Sequence, residues 1–103
     1  RLYASPDYLR RHGHPAEPAD LHQHQTVTHT AQGPSVSWLF RQSGRKVEIT
    51  VASPLAASST ALLHRTLVAG AGIGMLSQPM AAADERAGHL VEVLKAFAPK
   101  KLY

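Results

Sequence analysis

Residues 36–51 read VSWLFRQSGRKVEITV, and this stretch gives the clearest structural signal in the chain. Large apolar residues recur at every second position on both sides of Ser43-Gly44, which is typical of two strands joined by a tight turn. The stretch therefore predicts a β-hairpin. Pro54 predicts a bend or an edge position at the end of the second strand, because proline cannot donate to a strand ladder. The alternating positions are Val36, Trp38, Phe40, Val47, Ile49 and Val51.

The residues after the hairpin predict two helices, each followed by a strand. Residues 58–60 are Ser-Ser-Thr, which are preferred N-cap residues, and they predict a helix over 61–69 that ends at Gly70. The rest of this part is predicted as a strand over 73–76, a helix over 78–87 that ends at Gly88, and a strand over 89–94. The predicted buried side of the first helix consists of Leu62, Leu63, Leu67 and Val68.

The residues before the hairpin predict two short helices between two strands. Residues 2–4 are apolar and can form a strand, and Ser5-Pro6-Asp7 is a typical helix start, so a helix over 6–12 follows with Tyr8 and Leu9 buried. A second short helix is predicted over 18–24 and a strand over 25–30. The whole order is β-α-α-β-β-β-α-β-α-β, which indicates an α/β domain with a mixed sheet.

Composition excludes several classes of protein. The 103 residues suffice for one domain, and no apolar run approaches the ~20 residues that a membrane span needs. The absence of cysteine excludes a disulfide framework, a thiolate metal site and a cysteine nucleophile. The net charge of +4 comes from scattered cations, so DNA contact by this part of a protein is not predicted. The start at Arg1, without Met or a signal-like segment, suggests a piece of a longer protein.

No motif for catalysis or for a metal or nucleotide cofactor is found. Residues 70–74 read GAGIG, but these glycines follow a predicted helix and open a strand, the reverse of a dinucleotide-binding loop. His12/His14 and His22/His24 are two residues apart, which on a helix places the rings on different faces. No GxSxG motif is present. We expect no enzyme activity, no cofactor and no metal site.

The Ser58-Ser59-Thr60 cluster has two interpretations. Three hydroxyls beside the unpaired N–H groups at a helix N-terminus can bind a carboxylate, through the hydroxyls of Ser58 and Ser59 and the N–H groups of 59–61. Plain capping is the alternative and needs one hydroxyl only. Trp38 is interpreted as a half-buried strand residue that could also line a cleft beside Gly33 and Pro34.

Five segments together resemble the effector-binding part of LysR-type transcriptional regulators. Residues 1–9 (RLYASPDYL) contain the ASPxYL pattern, and residues 13–24 (GHPAEPADLHQH) follow GxPxxPxDLxxH. Residues 69–76 (AGAGIGML) resemble AGxGIxxLP, residues 88–94 (GHLVEVL) match GxLVxVL, and the hairpin fits between them. The sequence departs from the family pattern at two positions. Glu17 stands before Pro18 where the family usually has a Ser or Thr N-cap, and this weakens the cap. The proline that commonly follows the leucine of AGxGIxxLP is displaced to Pro79, after Gln78.

The resemblance implies an α/β subdomain of the periplasmic-binding-protein type II kind, with a mixed sheet in three layers. Residues 1–103 would be the second effector-binding subdomain, with the DNA-binding domain and first subdomain absent. A small, anionic effector would bind in the cleft between subdomains. The implied partners are this effector, DNA through the missing domain only, and further copies in a homo-oligomer, in the cytoplasm and away from membranes. A lobe of a transport solute-binding protein is the alternative. The effector-binding residues implied are Thr30, Gln32, Gly33, Ser58, Ser59, Thr60 and Ser77.

Overall fold

A five-stranded mixed sheet forms the centre of the computed structural model, which describes residues 1–30, 35–52 and 55–97. The elements of this sheet and its helices are β1 (Leu2–Ala4), α1 (Pro6–His12), a 3-10 helix (Pro18–Gln23), β2 (Thr26–His29), β5 (Leu55–Ala57), α2 (Thr60–Val68), β6 (Ile73–Met75), α3 (Gln78–Ala87), β7 (Val91–Val93) and a 3-10 turn (Lys95–Phe97). The strand order is β5-β2-β6-β1-β7, in which β2 runs parallel to β5 and β6, and β1 runs antiparallel to β6 and β7.

The predicted hairpin is present as a separate two-stranded sheet. Strands β3 (Ser35–Gln42) and β4 (Arg45–Ala52) pair with Trp38 opposite Ile49 and Phe40 opposite Val47. Both turn residues have positive φ, 53° at Ser43 and 76° at Gly44, as a tight hairpin turn requires. The prediction of the hairpin is confirmed.

The side chains of β1 alternate between the two faces of the main sheet, and each face carries its own hydrophobic cluster. Leu2 and Ala4 pack with α1, the first 3-10 helix and the inner face of the hairpin. Tyr3 packs on the opposite face with residues of α2 and α3. The α/β class, the mixed sheet and the three layers predicted by the resemblance are therefore observed.

Helix starts follow the residues expected to cap them. The Ser5 hydroxyl accepts a hydrogen bond from the Tyr8 N–H at 3.1 Å and caps α1. The Glu17 position was expected to weaken the second helix start, but the Asp20 carboxylate accepts hydrogen bonds from the N–H groups of Ala16 and Glu17. The expected weakness at Glu17 is thereby offset.

The predicted second short helix is present as a 3-10 helix (Pro18–Gln23), and residues 55–57, for which no element was predicted, form β5. Strand β5 follows the hairpin in sequence but pairs with β2 in the main sheet. Local sequence does not specify this pairing. Leu62 was expected in the core, but it is 46% exposed because α2 buries only the face of Leu63 and Leu67. Pro54 lies outside the described residues.

Candidate functional site

A cavity of about 350 Å³ opens at the carboxyl ends of the parallel strands β2 and β6. Ligands in open α/β sheets commonly bind at this end of parallel strands. The volume is within the range of small-molecule sites, roughly 300–1,000 Å³. The lining residues are Val27, Thr28, His29, Trp38, Thr60, Leu63, Met75, Leu76, Ser77 and Met80.

Two helices begin at this cavity. The Ser59 side chain caps α2, whose first residue is Thr60, whereas Ser77 holds the N-cap position of α3 without a side-chain capping hydrogen bond. Both Thr60 and Ser77 line the cavity. The unpaired N–H groups and the positive dipole end of a helix favour an anion at such positions. Neither α2 nor α3 has an acidic residue in its first turn, whereas α1 has Asp7 there. The cavity therefore lies beside two positive helix ends that their own side chains do not neutralise.

The Thr28 hydroxyl is a buried polar group of the cavity wall. Thr28 is 2% exposed, and no described residue forms a hydrogen bond with its Oγ1. An unsatisfied buried hydroxyl costs about 1–3 kcal/mol. Such a group at the edge of a cavity is suited to a ligand that completes its hydrogen bonding.

Close packing of α2 on the sheet brings these groups together. A Cβ at Gly74 of β6 would lie 3.0 Å from both the Leu67 Cδ2 of α2 and the Val27 carbonyl oxygen of β2. A side chain at Gly74 would push these neighbours apart by a few tenths of an ångström, so this glycine helps to place α2 close to β2 and β6. The interpretation of residues 70–74 as a helix-to-strand turn holds at Gly70, which has a φ of 90°.

The structure brings two of the predicted effector-binding residues, Thr60 and Ser77, to one cavity. The Ser59 hydroxyl accepts a hydrogen bond from the Leu62 N–H at 3.1 Å, so it acts in capping. Ser58 and Thr30 are exposed and do not line the cavity. Gln32 and Gly33 lie outside the described residues.

The sequence analysis did not identify Thr28 and His29 as cavity residues. It left undecided whether Trp38 lines a cleft. The signal for Thr28 was the threonine at every second position of β2, which was used only to predict a strand. Trp38 is 4% exposed and contributes to the cavity wall from the hairpin. Its position depends on hairpin packing against the sheet, which sequence alone does not give.

Metal-binding clusters and membrane-spanning helices were both sought in the described residues. Within 1–30, 35–52 and 55–97, no group of three His, Cys, Asp or Glu side chains is arranged to hold a metal ion. Every helix in those same ranges is too short or too polar to cross a bilayer.

Comparison with known proteins identifies the family. The model of the LysR substrate binding domain matches residues 1–103. The chain belongs to this family. It is 33% identical over 96 residues to the HTH-type transcriptional regulator CrgA of Neisseria meningitidis, which corresponds to 91% of the chain and 31% of CrgA. It is 27% identical over 99 residues to an uncharacterised HTH-type transcriptional regulator of Haemophilus influenzae.

Solved structures of LysR-type regulators share the fold of the chain. The CrgA regulatory domain superimposes with a TM-score of 0.87 at 29% identity, over 98% of the chain and 49% of that domain. The full-length Vibrio cholerae virulence activator AphB superimposes with a TM-score of 0.83 at 28% identity, over 96% of the chain and 34% of AphB. This LysR substrate-binding domain thus spans about a third of the length of the curated relatives it matches.

Proposed function

We propose that this LysR domain binds the carboxylate of a small organic anion in the cavity between the starts of α2 and α3. The observation that carries this proposal is the buried hydroxyl of Thr28, a residue that lines the same cavity as Thr60 and Ser77; this hydroxyl lacks a partner among the described residues. The carboxylate would accept hydrogen bonds from Thr28 and from the N–H groups at the two helix starts. Trp38 and Leu63 would contact the apolar part of the ligand.

The proposed role of the domain is regulation rather than catalysis. Bound effector would favour one arrangement of this domain relative to the rest of a regulator, and this population shift would change DNA contacts made by another domain. We propose that such a regulator works in the cytoplasm as a homo-oligomer and contacts DNA outside residues 1–103.

The test is a titration of the ¹⁵N-labelled chain with benzoate, and with benzamide as the neutral match. We expect saturable shifts of the backbone amides of Thr28, Thr60 and Ser77 with benzoate and much smaller shifts with benzamide. Equal shifts with both compounds, or benzoate shifts restricted to residues away from the cavity, would contradict the proposal.

Thr28→Val provides the decisive variant because it removes the hydroxyl and keeps the shape. A hydrogen bond to a charged group contributes about 1.5–3 kcal/mol, so we expect benzoate affinity to fall by about tenfold or more. Stability should rise or stay unchanged, because an unsatisfied buried group is lost. Thr26→Val is the matched control, a buried threonine of β2 that does not line the cavity. Equal loss of affinity in both variants would rule out a specific contact with Thr28.

A further inference from the structure

A cluster of one carboxylate and two imidazoles joins the two helices that begin at the cavity. Asp84 of α3 forms a short hydrogen bond through Oδ2 with the His64 Nε2 of α2, and its Oδ1 lies 3.1 Å from the His89 Nδ1. Asp84 and His64 are about a quarter exposed, while His89 is 60% exposed. Asp84 therefore contacts both α2 and the segment that leads into β7.

The backbone holds this cluster in register. The carbonyl oxygen of Asp84 accepts hydrogen bonds from the N–H groups of His89, at 2.7 Å, and Leu90, at 3.3 Å. The chain turns back at Gly88, which has a φ of 82°, and this brings His89 beside Asp84. His64 is thus the member of the cluster that comes from a separate helix.

Apolar packing contributes little to the position of α3. Ala81 is the one residue of this helix that is buried, and its side chain is a single methyl group. An alanine has few atoms with which to fix the rotation or sliding of a helix, since packing energy grows with buried area. The polar contact between α3 and α2 therefore has a large share in setting their relative position.

Helical periodicity connects the cluster to the cavity. His64 lies four residues after Thr60 on α2, and Asp84 lies four residues after Met80 on α3. Residues four apart share a helix face and are separated by slightly more than one turn, or about 6 Å along the axis. Thr60 and Met80 line the cavity, so the His64–Asp84 contact lies one turn behind the cavity wall on both helices.

We propose that Asp84 is a positioning residue of the effector cavity, which holds α3 against α2 through His64 and His89 and makes the spacing of the two helix starts depend on imidazole protonation. This rests on the proposed function of the cavity. Histidine changes charge between about pH 5 and 8, and a protonated imidazole binds a carboxylate more strongly than a neutral one. A fall in pH therefore tightens the contact.

The charged groups around Asp84 are consistent with a contact that tightens as the pH falls. Hydrogen bonds from His89 and His64 hold the pKa of Asp84 below its usual value, so Asp84 stays ionised to a lower pH than an ordinary aspartate. Glu85 and Arg65 are exposed, and no described hydrogen bond links either to Asp84. His29 also lines the cavity, so each variant must be compared with the wild-type chain at the same pH.

The first experiment needs no ligand. The backbone amide shifts of Thr60 and Met80 are measured from pH 8 to pH 5.5 in the ¹⁵N-labelled chain, in Asp84→Asn and in His64→Gln. We expect a pH-dependent shift in the wild-type chain that is strongly reduced in both variants. Glu85→Gln is the matched control, because it removes a carboxylate from the same turn without a described hydrogen bond. Identical pH profiles in the wild-type chain and in Asp84→Asn would overturn the proposal.

The second experiment measures benzoate affinity at pH 8 and pH 5.5. We expect the wild-type chain to bind about fivefold more tightly at pH 5.5 than at pH 8, within the usual range of coupling between sites. Asp84→Asn should show a smaller ratio of the two affinities, because the ionised partner of His64 is lost. If benzoate fails to bind while the amide profiles behave as expected, the proposed effector fails and the positioning role stands. Equal ratios in both chains would exclude the coupling. Because Asp84→Asn could unfold, circular dichroism of each variant is recorded, and His64→Gln repeats the test.

Discussion

Two buried tyrosines show how differently the same residue type is used. The Tyr8 hydroxyl accepts a hydrogen bond from the Gln25 N–H at 3.0 Å and lies 2.8 Å from the His24 Nδ1. The direction of this hydrogen bond to His24 depends on the tautomer of the imidazole. Burial lowers the pKa of His24, which favours the neutral imidazole. The Tyr3 hydroxyl, in contrast, is buried with no hydrogen-bond partner among the described residues.

These environments predict opposite results for the same substitution. Tyr8→Phe should lower the free energy of unfolding by about 1–3 kcal/mol, because a buried N–H group and His24 lose their partner. Tyr3→Phe should leave stability unchanged or raise it, because it removes an unsatisfied hydroxyl. Urea unfolding at pH 7.5 measures both, and an equal loss in the two variants would contradict this account of the hydrogen bonds.

The neutral imidazole of His24 should also make stability depend on pH. The pKa of His24 is lowered from 6.5, so the unfolded chain binds more protons than the folded one as pH falls below that value. Stability from this neutral histidine is present above pH 6.5 and is lost as pH falls through the folded pKa. The free energy of unfolding should therefore fall between pH 7.5 and pH 5, and it should fall less in His24→Gln, which cannot titrate. Urea unfolding of both chains at the two pH values measures this, and an equal fall in both would contradict it.

At the scale of elements, helix α2 shows which apolar side chains of a helix become buried against the sheet. Its leucines at 62, 63 and 67 all fit the prediction of an apolar side. The sheet covers Leu63 and Leu67, while Leu62 is 46% exposed. Both α2 and the first 3-10 helix were predicted as helical segments, but the shorter one takes the tighter form with Asp20 at its start. Local sequence predicted where helices begin better than it predicted which face they bury.

Substitutions in α2 test this choice of face. Leu67→Ala should lower the free energy of unfolding by about 2–5 kcal/mol, because Leu67 is fully buried against the sheet. Leu62→Ala removes the same atoms from the same helix and should change stability by only about 0.5 kcal/mol or less. Thermal or urea unfolding compares the two, and similar losses would mean that α2 packs with a different face.

At the scale of the whole molecule, the two hydrophobic clusters are joined through the sheet that separates them. Strand β1 lies between β6 and β7, with Leu2 and Ala4 in one cluster and Tyr3 in the other. Loss of either layer would expose one face of the same strand. The hairpin covers the first face without pairing with the main sheet, so its attachment depends on side-chain packing at Trp38 and Phe40.

This arrangement predicts a single unfolding transition. Trp38 is the only tryptophan in the chain and reports on the hairpin side, whereas far-ultraviolet circular dichroism reports mainly on α2 and α3 on the other side. Both signals should change at the same urea concentration, as two-state unfolding requires. Two separate midpoints would show that the hairpin layer unfolds independently of the sheet.

Local periodicity, capping residues and short motifs in the sequence were enough to predict the α/β class, the hairpin, most helix and strand positions and the family. The resemblance to LysR-type regulators also implied Thr60 and Ser77 as effector-binding residues. Folding then brought these two residues to the same cavity as Thr28 and Trp38, placed β5 beside β2 and joined His64 to Asp84. Each of these contacts links residues far apart in the chain, and local preferences do not encode which distant element a side chain meets.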